Sequence, residues 1–375
     1  MKASALLPAL ATATLVATGC INIQGPETVD VDFSGLGDSL AGGARAAADR
    51  GDDTGSDGGG WRDLALRAAG GFIGDGVGGC IFYAYDDLVP PGRDVQLVAR
   101  VKKYGGSRRL AGLTVEYRRL ADGRRIGSAT TDTDGVARIA WTPPGLGNYR
   151  FTVKVVAAAD PAQRELLDLP TAVQTVTVSP PDRPFVVCDL DGTLVRGSFA
   201  RVLLWDGGRI MPDAPRVMSR IARRYGVIYL THRPEDLTRR SRQWLEAQGL
   251  PDGPLLTSTL DEALGDAAEF KAARLAEIRR GHPNLVLGIG DKDTDVKAYR
   301  DNGIKAIWIP RYKHKAKDVR QLAWRLRRYL GEDIVVVADW REVEAAVFDG
   351  YTCSPQHFAD RLTRLADRLS DDDDD

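Results

Sequence analysis

Two patterns of hydrophobic and polar positions divide the chain near residue 180. Residues 92–178 carry short runs in which apolar and polar side chains alternate, separated by turn sequences such as Thr133-Asp134-Gly135. Alternation with a period of two is typical of strands that bury one face, so we predict a small all-β sandwich over 92–178. Over residues 183–350, continuous apolar runs alternate with segments of helical periodicity. This order predicts an α/β domain with a parallel sheet that is covered on both faces.

The same patterns assign individual elements. In the sandwich, the predicted strands cover 95–101, 113–117, 136–141, 149–156 and 173–178. In the α/β domain, the predicted strands cover 185–188, 227–230, 285–289 and 306–309. The predicted helices of that domain cover 214–225, 236–248, 267–280 and 294–302.

The N-terminal residues fit neither domain. Lys2 is followed by an acid-free apolar run, which is shorter than a membrane span and predicts a signal peptide over 1–19. Residues 20–60 are dominated by Gly, Ala, Asp and Ser, a composition that cannot bury a core, so we expect a flexible tether. Residues 61–91 are a lead-in segment, and 351–375 are predicted to form a C-terminal helix with an acidic tail.

Composition and cysteine content narrow the class of protein. With 43% hydrophobic and 27% charged residues, the chain is typical of a soluble globular protein and is neither a polytopic membrane protein nor wholly disordered. Export would allow cysteines to pair. Cys188 lies in an apolar run and is predicted to be a buried strand residue. Cys80 and Cys353 are either a disulfide pair or two free thiols, because their spacing fits both.

Candidate chemistry follows the first strand of the α/β domain. Asp189 and Asp191 come directly after this strand, and Gly192 and Thr193 follow them. Side chains alternate in extended backbone, so the two carboxylates project to the same side. Such a like-charged pair persists where a cation compensates it or where one member is kept protonated for acid–base work. Gly192 permits a tight turn, and Thr193 offers a hydroxyl to an anion.

Three further motifs lie at or near the ends of later strands. Thr231 ends the second predicted strand, where a hydroxyl and free amides before a helix suit a phosphate. Lys271 lies near the start of a helix that Asp266 is expected to cap. Asp291 and Asp295 follow the third predicted strand. Carboxylate oxygens without a His or Cys cluster favour Mg²⁺ over zinc.

In this order the motifs resemble those of the haloacid dehalogenase superfamily of aspartate-nucleophile phosphatases. The matching residues are Asp189-x-Asp191-x-Thr193, Thr231, Lys271 and Gly290-Asp291-x-x-x-Asp295. Residues 183–310 are similar to the catalytic domain of lipins, which are Mg²⁺-dependent phosphatidate phosphatases. The closest similarity lies in His232-Arg233-Pro234, Thr238-Arg239, Trp244-Leu245, Gly249 to Leu256, Glu269-Phe270-Lys271 and Asp295 to Ile304. The chain has Asp291 where lipins usually carry asparagine.

Three other resemblances concern the rest of the molecule. The order of a β-sandwich before the catalytic domain resembles bacterial relatives of the actin-patch type of phosphatidate phosphatase, although Gly192 replaces that type's third aspartate. The sandwich itself resembles immunoglobulin-like modules of exported bacterial proteins and is expected to act as a spacer or a binding module. The stretch from Leu15 to Cys20 resembles a bacterial lipoprotein signal, in which the cysteine becomes the lipidated first residue.

The resemblance to the phosphatases implies roles for these residues. Asp189 is the implied nucleophile that forms an aspartyl phosphate, and Asp191 is the implied general acid and base. Thr193, Thr231 and Lys271 are implied to bind the substrate phosphate. Mg²⁺ is implied to bind Asp189, the Asp191 backbone carbonyl and Asp291, with Asp295 as a direct or supporting ligand.

The spacing of the motifs and the charge distribution bear on the substrate. Strand-plus-helix units use nearly all of the intervals from Thr193 to Thr231 and from Thr231 to Lys271, so no large cap fits and the site is expected to be open. Residues 311–328 are rich in Lys and Arg and carry an apolar stripe at helical spacing. This segment is either a helix with a solvated basic face or a contact surface for anionic lipid.

The sequence therefore predicts an exported, membrane-anchored lipoprotein of the bacterial cell envelope with Mg²⁺-dependent phosphatidate phosphatase activity. Its partners would be an anionic phospholipid substrate and the membrane, through lipidated Cys20 and the basic segment, and no nucleic acid is expected. Two alternatives are a phosphatase of other exported phosphomonoesters, such as nucleotides, sugar phosphates or phosphoproteins, and a non-catalytic lipid-binding module.

Overall fold

A computed structural model of the protein describes residues 77, 79–103, 110–196, 208–263, 265–329 and 331–371. All of them belong to one compact unit, Ile73–Asp375. The predicted signal peptide, the lipidation site Cys20 and the predicted tether lie outside the described residues, as does most of the lead-in segment and of the acidic tail.

Sixteen strands and eight α-helices are found in the described residues. In the first half of the chain the strands are β1 (Cys80–Ala84), β2 (Asp87–Val89), β3 (Val95–Lys103), β4 (Leu113–Arg119), β5 (Arg125–Thr130), β6 (Val136–Trp141), β7 (Gly147–Ala158) and β8 (Ala172–Val178). In the second half they are β9 (Phe185–Cys188), β10 (Val195–Arg196), β11 (Arg209–Ile210), β12 (Gly226–Pro234), β13 (Leu255–Ser258), β14 (Leu285–Gly290), β15 (Lys305–Trp308) and β16 (Ile334–Val336). The helices are α1 (Ala214–Ala222), α2 (Thr238–Ala247), α3 (Leu260–Ala263), α4 (Ala267–Gly281), α5 (Asp293–Asp301), α6 (Ala316–Leu326), α7 (Trp340–Phe348) and α8 (Pro355–Asp371).

Strands β1 to β8 form a β-sandwich. One sheet has the strand order β1-β3-β6, and the other has the order β2-β8-β7-β4-β5. Alternating residues of β4, namely Leu113, Val115 and Tyr117, are buried, and they share one hydrophobic core with residues of both sheets. Burial of one face of each sheet against the other explains why an alternating pattern marked this region.

The sandwich begins earlier than the predicted 92–178. Strands β1 and β2 lie in the segment 61–91, which was expected to be only a lead-in, and β5 was also missed. All five residues of β1 are buried, so this strand has no alternation to detect. Strand β5 has the sequence RIGSAT and buries none of its residues fully, so it has little hydrophobic signal.

The second half of the chain contains a six-stranded parallel sheet of order β13-β12-β9-β14-β15-β16. Successive residues of β9 face opposite cores: Phe185 and Val187 pack with one hydrophobic cluster, and Val186 and Cys188 with another. Helices α4, α5, α6 and α8 contribute to the first cluster, and α1, α2 and α7 to the second. A parallel sheet covered on both faces was predicted from the continuous apolar runs.

The predicted strands and helices of this domain are found with small shifts of their ends, whereas β13, β16 and the β10–β11 hairpin were not predicted. The basic segment 311–328 forms a helix only from Ala316 onward. Cys80, Cys188 and Cys353 are buried and lie in three different cores, so Cys80 and Cys353 do not form a disulfide with each other. Within the described residues, no helix has both the length and the apolar character needed to cross a membrane.

Candidate active site

The predicted site residues meet at one edge of the parallel sheet. Asp189 follows β9, Thr231 lies in the last part of β12, and Asp291 follows β14. These three strands are adjacent, with β9 in the middle. Because the carboxyl ends of parallel strands lie on one edge, the topology alone brings these residues together.

The loop after β9 is a tight turn built around Gly192. The amide of Gly192 donates to the carbonyl of Val195 at 3.1 Å, and the amide of Leu194 donates to that of Leu190 at 2.9 Å. Gly192 has a φ of +80°, and a Cβ at this position would lie 1.9 Å from Asp291 Oδ2. Only glycine therefore allows the two loops to approach this closely.

Lys271 connects two of the aspartates. It lies in α4, which begins after Asp266, whose carboxylate accepts from two backbone amides as a helix cap. Lys271 Nζ donates to Asp189 Oδ1 at 2.6 Å and also to Asp295, and only 3% of Lys271 is exposed. Burial alone would lower the pKa of Lys271, but Asp189 and Asp295 outweigh it and raise this pKa. Lys271 is therefore a permanent positive charge in contact with Asp189 and Asp295.

Asp189, Asp291 and Asp295 form an acidic cluster, with one carboxylate oxygen of each within 4.8 Å of the others. Burial raises the pKa of Asp189 to about 6, with Lys271 opposing this rise and Asp295 and Asp191 adding to it. Burial, followed by Asp189 and Asp295, raises the pKa of Asp291 well above its ordinary value. The negative charge of this cluster exceeds what one lysine can compensate.

The acidic cluster has the properties of a site for a hard divalent cation. Asp291 Oδ1 is buried and has no hydrogen-bond partner, and buried polar atoms without partners are rare. Three carboxylates without a histidine or cysteine ligand suit Mg²⁺. The closeness of Gly192 to Asp291 places backbone near the same oxygen atoms.

Asp191 does not join this cluster and instead pairs with Arg233. Arg233 Nε donates to Asp191 Oδ2 and Arg233 Nη2 donates to Asp191 Oδ1, both at 2.7 Å. The third guanidinium nitrogen, Nη1, donates to Ser241 Oγ at 2.8 Å. The Arg233 side chain is 2% exposed, and that of Asp191 is 15% exposed. Such a bidentate pair fixes the orientation of the carboxylate.

Arg233 was part of the lipin resemblance, but the sequence analysis gave it no role. A signal was present, because Thr231 and Arg233 are two residues apart in a strand and so lie on one side of it. The buried Thr231 hydroxyl accepts from the backbone amide of Arg233 at 3.3 Å. Thr193 Oγ1 donates to Asp189 Oδ2 at 3.4 Å. Thr193 is thus bonded to Asp189, and Thr231 is bonded to the backbone of Arg233, the residue that binds Asp191.

A cavity of about 380 Å³ adjoins the first motif. Its lining includes Thr193, Met211, Ile309, Arg311 and Trp340. Arg311 Nε donates to the carbonyl of Gly192 at 2.8 Å, so a basic side chain lies at this border of the site. A larger cavity of about 640 Å³ along α8 contains none of the predicted site residues in its lining.

Comparison with known proteins supports the lipin-like interpretation of the α/β domain. Residues 186–309 match the LNS2 domain of PITM 1-3, a domain of the lipin-related phosphatase type. This match covers the described site residues from Asp189 to Asp295. No curated protein matches the chain.

Solved structures show weaker similarities. The CARDB domain of the PF1109 protein from Pyrococcus furiosus is 19% identical, with 27% of this chain and 87% of that chain covered and a TM-score of 0.20. A chain of the Pnkp1/Rnl/Hen1 RNA repair complex is 21% identical, with coverage of 34% and 43% and a TM-score of 0.30. This protein therefore spans less than half of that RNA repair chain.

Proposed function

We propose that the protein is a Mg²⁺-dependent phosphatase of the haloacid dehalogenase type that hydrolyses a lipid phosphomonoester, phosphatidate. The observation that carries the proposal is the buried acidic cluster of Asp189, Asp291 and Asp295 around Lys271, with one carboxylate oxygen left without a partner. The match of residues 186–309 to an LNS2 domain supports a phosphatase of the lipid-related class.

The proposed reaction has two displacements. In the first, a carboxylate oxygen of Asp189 attacks phosphorus, the bond from phosphorus to the leaving alkoxide breaks, and Asp191 donates a proton to that oxygen. In the second, water attacks the aspartyl phosphate, Asp191 accepts a proton from the water, and phosphate leaves from Asp189. Splitting one difficult substitution into two and switching one carboxyl between acid and base are established means of catalysis.

Asp189, Asp291 and Asp295 would hold the cation, together with the backbone carbonyl of Asp191. When bound, Mg²⁺ would offset the excess charge of the carboxylates and of the phosphoryl oxygens. Lys271 keeps part of the acidic cluster neutralised and faces the same oxygen atoms. Thr193 and Thr231 supply hydroxyl groups to the phosphoryl oxygens, so these residues position the phosphate and stabilise its charge.

Free positive charge at the border of the site supports an anionic lipid surface as the partner. Lys313, Lys315 and Lys317 follow the carboxyl end of β15, are exposed, and have no ion-pair partner within the described residues. In contrast, the arginines of and after α6 are largely occupied. Arg320, Arg325 and Arg327 pair with Asp367, Asp293 and Asp360 at 3.6, 3.3 and 3.4 Å.

An exposed aromatic side chain lies in α6, seven residues after Lys317 and so on the same side of the helix. Trp324 of α6 is 56% exposed, and the Arg328 guanidinium lies over its ring at 3.8 Å. Tryptophan and basic side chains are typical of surfaces that rest in a lipid headgroup layer. The membrane-contact surface is therefore proposed to consist of the three lysines with Trp324.

A phosphate-release panel tests the proposed activity. Phosphatidate, lysophosphatidate, a nucleotide and p-nitrophenyl phosphate are compared with and without Mg²⁺. We expect the highest activity on phosphatidate, its loss in EDTA and its recovery when Mg²⁺ is added. A preference for the nucleotide would show that the substrate is another exported phosphomonoester and not a lipid. Activity in a metal-free sample would contradict the assignment of the acidic cluster as a Mg²⁺ site.

The lipid surface is tested by charge reversal at matched positions. Changing Lys313, Lys315 and Lys317 to glutamate should weaken activity on phosphatidate vesicles and leave activity on p-nitrophenyl phosphate unchanged. The matched control reverses the paired Arg320, Arg325 and Arg327. Equal loss on both substrates in the lysine variant would make that segment structural. The proposed anchor is tested separately, because Cys20→Ser should move an exported lipoprotein out of the membrane fraction.

A further inference from the structure

The β-sandwich contacts the segment of the α/β domain that directly follows Arg233. Glu235 is 1% exposed, and each of its carboxylate oxygens accepts from a sandwich residue. Tyr85 Oη donates to Glu235 Oε2 at 2.9 Å, and Lys102 Nζ donates to Glu235 Oε1 at 2.9 Å. Burial, and then the charge of Glu235, raises the pKa of Tyr85. The phenol therefore keeps the proton that it donates.

These two contacts hold a buried charge, so they are sensitive to the position of the sandwich. A buried carboxylate is stable only where its oxygen atoms are hydrogen-bonded or paired with a charge. Lys102 also lies 3.8 Å from Asp236. Lys102 of the sandwich thus faces two consecutive acids of the α/β domain, Glu235 and Asp236.

The backbone between Glu235 and Arg233 is rigid. Only Pro234 separates the two residues, and its φ is −63°, the value that the proline ring enforces. Ser258 Oγ donates to the carbonyl oxygens of His232 and Arg233, both at 3.0 Å. The register of β12 against β13 shifts between Leu230 and Pro234, an irregularity of the kind that redirects side chains near active sites.

We propose that the sandwich is a positioning element of the active site: Tyr85 and Lys102 fix Glu235, and thereby the guanidinium of Arg233 that orients Asp191. This inference rests on the proposed function, in which Asp191 is the proton donor. It gives the sandwich a role in addition to that of spacer or binding module. Lys102 and Tyr85 are positioning residues and do not touch the substrate.

The first experiment separates proton donation from the rest of the reaction. A short-chain phosphatidate has a poor alkoxide leaving group that needs a proton, whereas p-nitrophenolate leaves without one. In Lys102→Ala we expect kcat on the phosphatidate to fall about tenfold, because small displacements of catalytic groups have effects of this size. The kcat on p-nitrophenyl phosphate should change less than about twofold, and KM should be unchanged for both substrates. Tyr85→Phe should show a smaller effect of the same kind, and Lys102→Arg should restore activity.

The matched control is Arg150→Ala. Arg150 of the sandwich pairs with Glu246 of α2, so this variant breaks another ion pair between the same two regions without touching Glu235. We expect it to keep wild-type kcat on both substrates. An equal loss on both substrates in Lys102→Ala, or no loss on either, would overturn the positioning role. Absence of activity in the wild-type protein on every substrate would instead show that the proposed function is wrong.

A second measurement does not depend on activity. The Nε–H resonance of Arg233, assigned by its loss in Arg233→Lys, reports the hydrogen bond to Asp191 in a ¹⁵N NMR spectrum. It should shift in Lys102→Ala and Tyr85→Phe and stay in place in Arg150→Ala. An unchanged resonance in Lys102→Ala would overturn the inference whatever the enzyme's activity, and Tyr85→Phe provides the same measurement in a variant that keeps the charge pair.

Discussion

The molecule buries two lysine–carboxylate clusters, and Glu235 in one differs from Asp291 in the other in how well its oxygen atoms are satisfied. At the boundary of the two domains, Lys102 and Tyr85 occupy both oxygens of Glu235. At the sheet edge, Lys271 bonds to Asp189 and Asp295, while Asp291 Oδ1 has no partner. Buried charge by itself therefore does not mark a site. Three carboxylates gathered around one lysine, with Asp291 Oδ1 unsatisfied, indicate a missing cation, whereas Glu235, with both oxygens bonded, indicates a structural contact.

Loss of the nucleophile is the largest expected effect. Asp189→Asn should lower turnover by at least about 10³-fold, because the amide cannot form the aspartyl phosphate. The fold should be retained, since the two side chains have nearly the same volume. The control is Asp293→Asn, which changes an acid two residues from Asp291 that pairs with Arg325 at the surface. Phosphate release measures both variants, and substantial activity in Asp189→Asn would exclude the mechanism.

Removal of Lys102 should affect stability, and Mg²⁺ should not compensate. Lys102→Ala removes the lysine that is hydrogen-bonded to the buried Glu235, and breaking a buried pair in this way costs about 3 kcal/mol of unfolding free energy. Urea denaturation with and without Mg²⁺ measures this loss. If Mg²⁺ restored the stability of the variant, the two clusters would not be distinct in the way described above.

Asp236 makes the domain boundary sensitive to pH. Burial raises the pKa of Asp236 to about 6 from its ordinary value of 3.8, with Lys102 and Arg100 opposing the rise. The folded state therefore favours the protonated carboxyl, and its stabilisation is present below pH 4 and is lost as the pH rises through about 6. As the pH rises from 4 to 7, the free energy of unfolding of Asp236→Asn should increase by about 2 kcal/mol relative to that of the wild-type protein. Thermal unfolding across this range checks the difference, and parallel pH profiles would contradict it.

The smallest expected effect concerns the unsatisfied oxygen of Asp291. In metal-free protein, Asp291→Asn removes a charge that burial and two neighbouring carboxylates disfavour, and we expect a gain of about 1 kcal/mol in stability. Mg²⁺ should stabilise the wild-type protein more than the variant. Calorimetric unfolding in EDTA measures the stability gain of the variant, and unfolding in Mg²⁺ measures how much the cation stabilises each protein. A variant that is less stable than the wild-type protein in EDTA would mean that Asp291 is satisfied without a cation.

Local patterns predicted the parallel sheet and the residues at its carboxyl edge, because continuous apolar runs and the residues that follow them are adjacent in sequence. Contacts between distant residues were not predicted. Asp191 and Arg233 are 42 residues apart, and Glu235 and Lys102 are 133 residues apart. Nothing in the composition of either segment indicates its partner. Strand β1 was missed because all five of its residues are buried, which removes the alternation on which the prediction depended.

Two indole rings from late in the chain hold the loops of the site. Trp340 Nε1 donates to the carbonyl of Thr193 at 2.9 Å across 147 residues, and Trp308 Nε1 donates to that of Asp291 at 2.8 Å. During synthesis the sandwich leaves the ribosome first, and the nucleophile emerges long before the tryptophan that supports its turn. Because domains fold as they emerge and distant contacts form slowly, catalytic competence should be the last property that the nascent chain acquires.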